Sequence, residues 1–234
     1  MEEIRNSVKK FADSIGIEFR DINLLVGAFT HRSYLNEHRD FPLPHNERLE
    51  FLGDAVLELV VTEYLFNKYP ERPEGELTAI RAALVNTISI SDAGNKLGMG
   101  DYLLLSKGES ADTGRARQYI IANTFEAVVG AIYLDKGYES ARDFLAKNIL
   151  VKTDEVVRQK LWLDAKSYFQ EKAQEHTGIT PEYKTLKEVG PDHDKEFTVG
   201  VYLKREMIAE GKGNSKQEAE VVAARRALEV KGWA

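Results

Sequence analysis

Three carboxylates interrupt the otherwise apolar stretch HNERLEFLGDAVLELVV at residues 45–61: Glu47, Glu50 and Asp54. On a helix of about 3.6 residues per turn they fall at about 0°, 300° and 340°, on one face. Leu49, Phe51, Leu52, Val56, Leu57, Val60 and Val61 cover most of the rest. An unpaired buried carboxylate is costly, and several together require raised pKa values or a counter-cation. A second run, IIANTFEAVVGAIYLD at residues 120–135, sets Asn123 and Glu126 three apart among apolar neighbours, on one helical face. Packed together, two such helices could gather Glu50, Asp54, Asn123 and Glu126 around one hard, oxygen-liganded cation such as Mg²⁺, with Mn²⁺ able to substitute. A divalent cation lowers the pKa of bound water and stabilises charge on a phosphoryl group, so phosphodiester hydrolysis is the chemistry that fits. Glu58 falls near the same face, at about 20°, and reads as solvated.

The elements that must position these groups are mostly helices. Apolar residues recur with helical period through Ile4–Ile15, Ile22–Phe29, Glu47–Tyr69, Glu76–Leu97, Gln118–Lys136 and Ser140–Leu150. Asp21 is a suitable N-cap for the second helix. The polar, Gly-containing segment Ser106–Arg117 is expected to be a mobile loop. His31, His38 and His45 are seven apart but span two prolines, so they read as loop or cap residues rather than ligands. Residues 151–163 read as a charged helical connector. Beyond it the period changes. Helices at Asp164–Thr177 and Ser215–Lys231 flank strands at Glu182–Val189, Glu196–Leu203 and Met207–Gly213. The fold class is therefore an all-α N-terminal domain followed by a small α+β domain of order α-β-β-β-α.

Composition narrows the class. The chain has 234 residues and no cysteine, which excludes disulfides, zinc–thiolate sites and thiol catalysis. A reducing, cytoplasmic compartment is compatible with that. No apolar run approaches the length of a bilayer span, and the charged N-terminus lacks the apolar core of a signal peptide. The net charge of −6 lies entirely in residues 1–159, with 19 basic against 25 acidic residues. Residues 160–234 balance, with 13 of each, so any basic surface there is a local patch.

HNERLEFLGDAVL resembles the signature of the ribonuclease III family, the double-strand-specific endoribonucleases. The likeness continues through THRS at 30–33, PEGEL at 73–77, RAALV at 81–85 and NTFEAVVGAIYLD at 123–135, and into the C-terminal domain. It implies an endonuclease domain at 1–150, a connector at 151–163 and a double-stranded-RNA-binding domain at 164–234. Glu50, Asp54 and Glu126 match the family's metal-binding catalytic acids. Glu47 and Glu74 match two further acids lining its cleavage valley. Asn123 is a departure, since many members carry Asp there. The amide keeps an oxygen ligand but loses one charge, which would weaken Mg²⁺ binding by about 1–2 kcal/mol. The resemblance also implies a homodimer in which each acidic cluster cuts one strand. The cuts are staggered, leaving 5′-phosphates and 3′-hydroxyls, and Phe51 packs across the interface.

The C-terminal module is implied to read A-form duplex over about 16 base pairs. Gln170 and Glu171 match minor-groove positions, and His193 would reach a second minor groove from the β1–β2 loop. Ser215 would cap the last helix and expose backbone N–H groups to phosphate, with Lys216 adding a contact. Family members commonly carry two or three basic residues in a row here. This chain has Lys216 followed by Gln217 and Glu218, which implies weaker binding and a shallower salt dependence. The expected activity is Mg²⁺-dependent cleavage of double-stranded RNA, with structured precursors such as rRNA as substrates. The alternative is a catalytically weak or inactive RNA-binding dimer, supported by Asn123 alone.

Overall fold

The computed structural model describes residues 1–111, 114–191 and 195–233. They form two compact units, Met1–Trp162 and Leu163–Ala234. The first is helical: α1 (Glu2–Ser14), α2 (Ile22–Phe29), α3 (Arg32–Glu37), α4 (Glu47–Lys68), α5 (Glu74–Leu84), α6 (Thr87–Lys96), α7 (Lys107–Ser110), α8 (Arg115–Lys136), α9 (Tyr138–Asn148) and α10 (Thr153–Arg158). The second is α11 (Ala165–Thr177), β1 (Glu182–Val189), β2 (Glu196–Leu203), β3 (Glu206–Gly213) and α12 (Lys216–Lys231).

The core of the first unit forms around α8, because that helix is apolar on almost every side. Phe125, Val128, Val129 and Ile132 are fully buried, as expected of a helix segment apolar on nearly every side. Val56, Leu57, Val60 and Val61 of α4 share the same core. Phe11, Phe29 and Tyr102 close one end, with ring centroids 5.0–5.8 Å apart. Asp135, near the end of α8, accepts the backbone N–H of Arg20 and of Asp21, each at 2.8 Å. It thereby pins the start of α2 to α8. Asp21 caps α2 by accepting the Asn23 N–H.

Two expectations need correction. The single helix expected over Glu76–Leu97 is two helices. The chain breaks at Val85–Asn86, where the Asn86 side chain accepts the Ser89 N–H at 2.9 Å and starts α6. Val, Asn and Thr in succession are weak helix formers. The apolar period nevertheless runs through, because Ile80, Leu84 and Ile90 all enter one core. The expected mobile loop at Ser106–Arg117 contains α7 and the first turn of α8. It is tethered: the Ser106 N–H donates to Ser33 Oγ at 3.1 Å, and Ser106 Oγ accepts the Glu109 N–H. Residues 112–113 lie outside the described ones.

Of the expected connector at 151–163, residues 151–162 pack on the first unit. Val156 is in its core, and Leu161 and Trp162 lie against it. Lys68 at the end of α4 bonds Asp154 at 2.6 Å.

In the second unit the strands pair antiparallel in the order β1-β2-β3. Val201 and Leu203 of β2 meet Phe169 and Ala173 of α11 and Ala223, Ala224, Ala227 and Leu228 of α12. The alanines let α12 lie tight on β3. A Cβ added at Gly211 would overlap the main chain at Ala219 and Ala223.

Candidate functional site

The expected acids are set by two helices and the way they meet. The start of α4 is fixed by Asn46, which is buried. Its N–H donates to the Thr30 carbonyl at 2.9 Å and its side-chain amide to the Ala28 carbonyl at 3.3 Å. Asn46 thus ties α4 to the end of α2 and makes no side-chain cap. Glu47 and Glu50 follow in the first turn, where the positive end of the helix dipole favours carboxylates.

α4 and α8 then cross with their main chains in contact. A Cβ on Gly53 would overlap the carbonyl oxygen of Glu126, and one on Gly130 would overlap that of Leu49. Both glycines are buried. This approach sets Glu50 and Asp54 of α4 against Asn123 and Glu126 of α8.

Electrostatics reports the juxtaposition. Burial, then the charges of Asp54 and Glu50, push the Glu126 carboxyl up to about 8. Glu50 is raised by burial and by the charges of Glu47 and Asp54, while the Asn123 amide pulls it the other way. Three acids and one amide therefore face each other, with the amide N–H donating to Glu50, at a cost that a cation would offset. Among the described residues, no three carboxylates or imidazoles are drawn to the spacing of a single ion's ligands. The close cage expected around one ion is thus not formed among the described residues. The donor set still fits a hard divalent ion: every group can offer oxygen, and a bound cation would favour the ionised form of Glu126.

The remaining positions fall elsewhere. Glu47 is half-exposed and pairs with Arg32 at 3.4 Å, with His45 Nδ1 3.7 Å away. Glu74 opens α5 and accepts the Thr78 hydroxyl at 2.9 Å. It lines a separate recess with Thr62, Phe66, Tyr69 and Arg81. Phe51 is 82% exposed, beside an apolar recess of about 770 Å³ lined by Leu24, Leu43, Leu49, Leu52 and Leu134.

In the second unit, Gln170 and Glu171 sit with Ser167, Gln174 and Glu175 along a shallow groove on one face of α11. Ser215 caps α12 by accepting the Glu218 N–H at 3.2 Å. Lys216 follows it but is bonded to Glu188 of β1 at 2.8 Å. His193 lies outside the described residues.

Sequence reasoning missed three positioning residues: Asn46, Gly53 and Gly130. A glycine inside an apolar helix was the available signal for the last two. Asn46 gave no such signal, since its role shows only in its burial and its bonds to the Thr30 and Ala28 carbonyls.

A family profile described as "Ribonuclease-III-like" matches residues 21–153, and one described as "Double-stranded RNA binding motif" matches residues 165–231. The chain is 47% identical to Ribonuclease 3 of Bacillus cereus (strain G9842) over 96% of its own length and 91% of that protein's. Identity and coverage are the same for Ribonuclease 3 of Bacillus anthracis (strain CDC 684 / NRRL 3495). A solved nuclease domain of ribonuclease III from Campylobacter jejuni is 43% identical, with a TM-score of 0.54. The match covers 60% of this chain and 97% of that one, and the solved domain is described as flexible in a region involved in dimer formation.

Proposed function

The chain belongs to the ribonuclease III family and is an endoribonuclease directed at double-stranded RNA, and from that premise we propose how it cuts. Glu50, Asp54, Asn123 and Glu126 hold Mg²⁺, which Mn²⁺ can replace. When bound, the cation stabilises charge on the phosphoryl group and makes water a competent nucleophile at neutral pH. Burial first, and the charges of Asp54 and Glu50 second, hold the Glu126 carboxyl at about 8, so it would have to release its proton to serve as a ligand. Asn123 restrains Glu50 and keeps it available as an oxygen donor. Glu47 and Glu74 line the path of the RNA. The products carry 5′-phosphates and 3′-hydroxyls on staggered ends, and structured precursors such as rRNA are the substrates. The working form is a cytoplasmic homodimer, and the exposed Phe51 beside its apolar recess supports a self-complementary contact.

The observation that carries the catalytic reading is the glycine-mediated crossing that sets three acids and an amide face to face. The test is cleavage of a labelled RNA duplex by the purified chain with Mg²⁺ and with EDTA. Staggered products are expected with Mg²⁺ alone. Cleavage in EDTA would overturn metal dependence. An intact but bound duplex in Mg²⁺ would favour the inactive RNA-binding dimer, and equal competition by duplex DNA would remove the preference for RNA.

A further inference from the structure

The N-terminal end of α12, which on the reading above receives RNA phosphate, is occupied by carboxylates of its own unit. Glu188, near the end of β1, faces Phe197 across the β1–β2 pair. Its Oε1 lies 2.8 Å from Lys216 Nζ. The same ammonium lies 5.6 Å from the Phe197 ring centroid. The two side chains are 39% and 55% exposed, so both remain open to a ligand. Glu218 turns back on the helix start and accepts the Asn214 N–H at 2.8 Å, while Ser215 Oγ takes the Glu218 N–H. This reciprocal pair satisfies N–H groups that a phosphate could otherwise use. One turn further on, Glu220 holds Lys166 at 2.5 Å. Lys216 is the one cation in the first turn of α12, followed by Gln217 and Glu218.

We propose that Glu188 sets the affinity of the RNA-binding surface: its carboxylate occupies Lys216 as a stand-in for phosphate, and duplex RNA binds there by displacing it. A carboxylate oxygen offers the ammonium the same partner as a phosphate oxygen, an anion at hydrogen-bond distance. The exchange therefore returns little free energy by itself, and the freed Glu188 is left beside a polyanion. It takes up a cation as RNA releases one, which flattens the salt dependence. Lys216, with a smaller contribution from Lys195, holds the Glu188 carboxyl below the ordinary carboxylate range, so Glu188 is ionised at neutral pH. Contact at Lys216 then rewards only a duplex already seated by its other contacts, such as the α11 groove. A lone phosphate gains little there. Glu188 thereby favours correctly registered A-form duplex over casual anionic contacts.

This inference rests on the second unit binding duplex RNA. The test uses the full chain in EDTA, so that the RNA stays intact, with a fluorescent RNA duplex of about 20 base pairs, long enough for the module's span. Anisotropy titrations over a range of salt compare wild type, Glu188→Gln, Lys216→Met and the double variant. Glu188→Gln is expected to tighten binding about two- to fivefold, the range of one exposed ion pair. Its plot of log affinity against log salt should be steeper by up to about one ion. In the Lys216→Met background the same change should have a clearly smaller effect. An equal gain in both backgrounds would make Glu188 a general negative charge and overturn the exchange. An unchanged Kd in Glu188→Gln would overturn it as well, with the binding reading intact. Failure of wild type to bind duplex would instead remove the reading beneath it.

Discussion

Glu126 is the residue on which the proposed chemistry depends most directly. Burial beside Asp54 and Glu50 holds its carboxyl up at about 8, so protons compete with a cation for the site. Apparent Mg²⁺ affinity, measured by calorimetry, should weaken as pH falls below about 8, and the rise in melting temperature on adding Mg²⁺ should shrink with it. Glu126→Gln should lower cleavage by roughly 10²–10³-fold. It should not lower the melting temperature without metal, because it removes a carboxylate that is costly to ionise there. A variant that cleaves at the wild-type rate would sink the role assigned to Glu126. These acids were legible in the sequence because each breaks an apolar pattern. Asn46 was not, since a residue that ties two helices through backbone carbonyls looks locally like any helix cap.

Among elements, α4 and α8 matter most, and their glycines set how near they come. Gly53→Ala forces a methyl against the Glu126 carbonyl, backbone on backbone. Overpacking of a tight core costs about 1–3 kcal/mol or more. Urea denaturation should show a loss of at least that size, and cleavage should fall with it because the acids are pushed apart; a stable, fully active variant would contradict the crossing. Asp135 secures α2 against the same helix. Burial alone would raise its pKa, but the Arg20 and Asp21 N–H groups and the Lys136 ammonium outweigh it and hold the carboxyl below its ordinary value. Its contribution is complete above the unfolded value of about 4 and disappears as pH falls through the lowered folded value. Asp135→Asn should therefore cost about 1–3 kcal/mol at pH 7, with a gap to wild type that narrows toward pH 3. A gap that stayed constant with pH would show that the charge is not what stabilises. Periodicity located α2 and the strands β1 and β2 well, because each ends where its pattern ends. It missed the break at Val85–Asn86, where two helices present one continuous apolar face.

For the whole molecule, the exposed Phe51 and the recess beside it are the clearest sign of assembly. Phe51→Asp should shift the sedimentation coefficient from dimer to monomer and depress cleavage, while leaving the melting curve of the chain close to wild type. A variant that still sediments as a dimer would place the contact elsewhere. In the sequence, only the family resemblance pointed this Phe outward. Exposure depends on which helical face the fold leaves open, and composition does not encode that. The alternation of strand and helix in the second unit was readable in full, but the pairing of Lys216 with Glu188 was not, since the two lie 28 positions apart in the chain. The glycine contact between α4 and α8 has one more consequence. Because main chain rests on main chain there, the separation of the two helix backbones is fixed by contact and side-chain repacking cannot reduce it. Replacement of an acid by an amide, as at Asn123, therefore changes the charge of this face while the two backbones keep their contact.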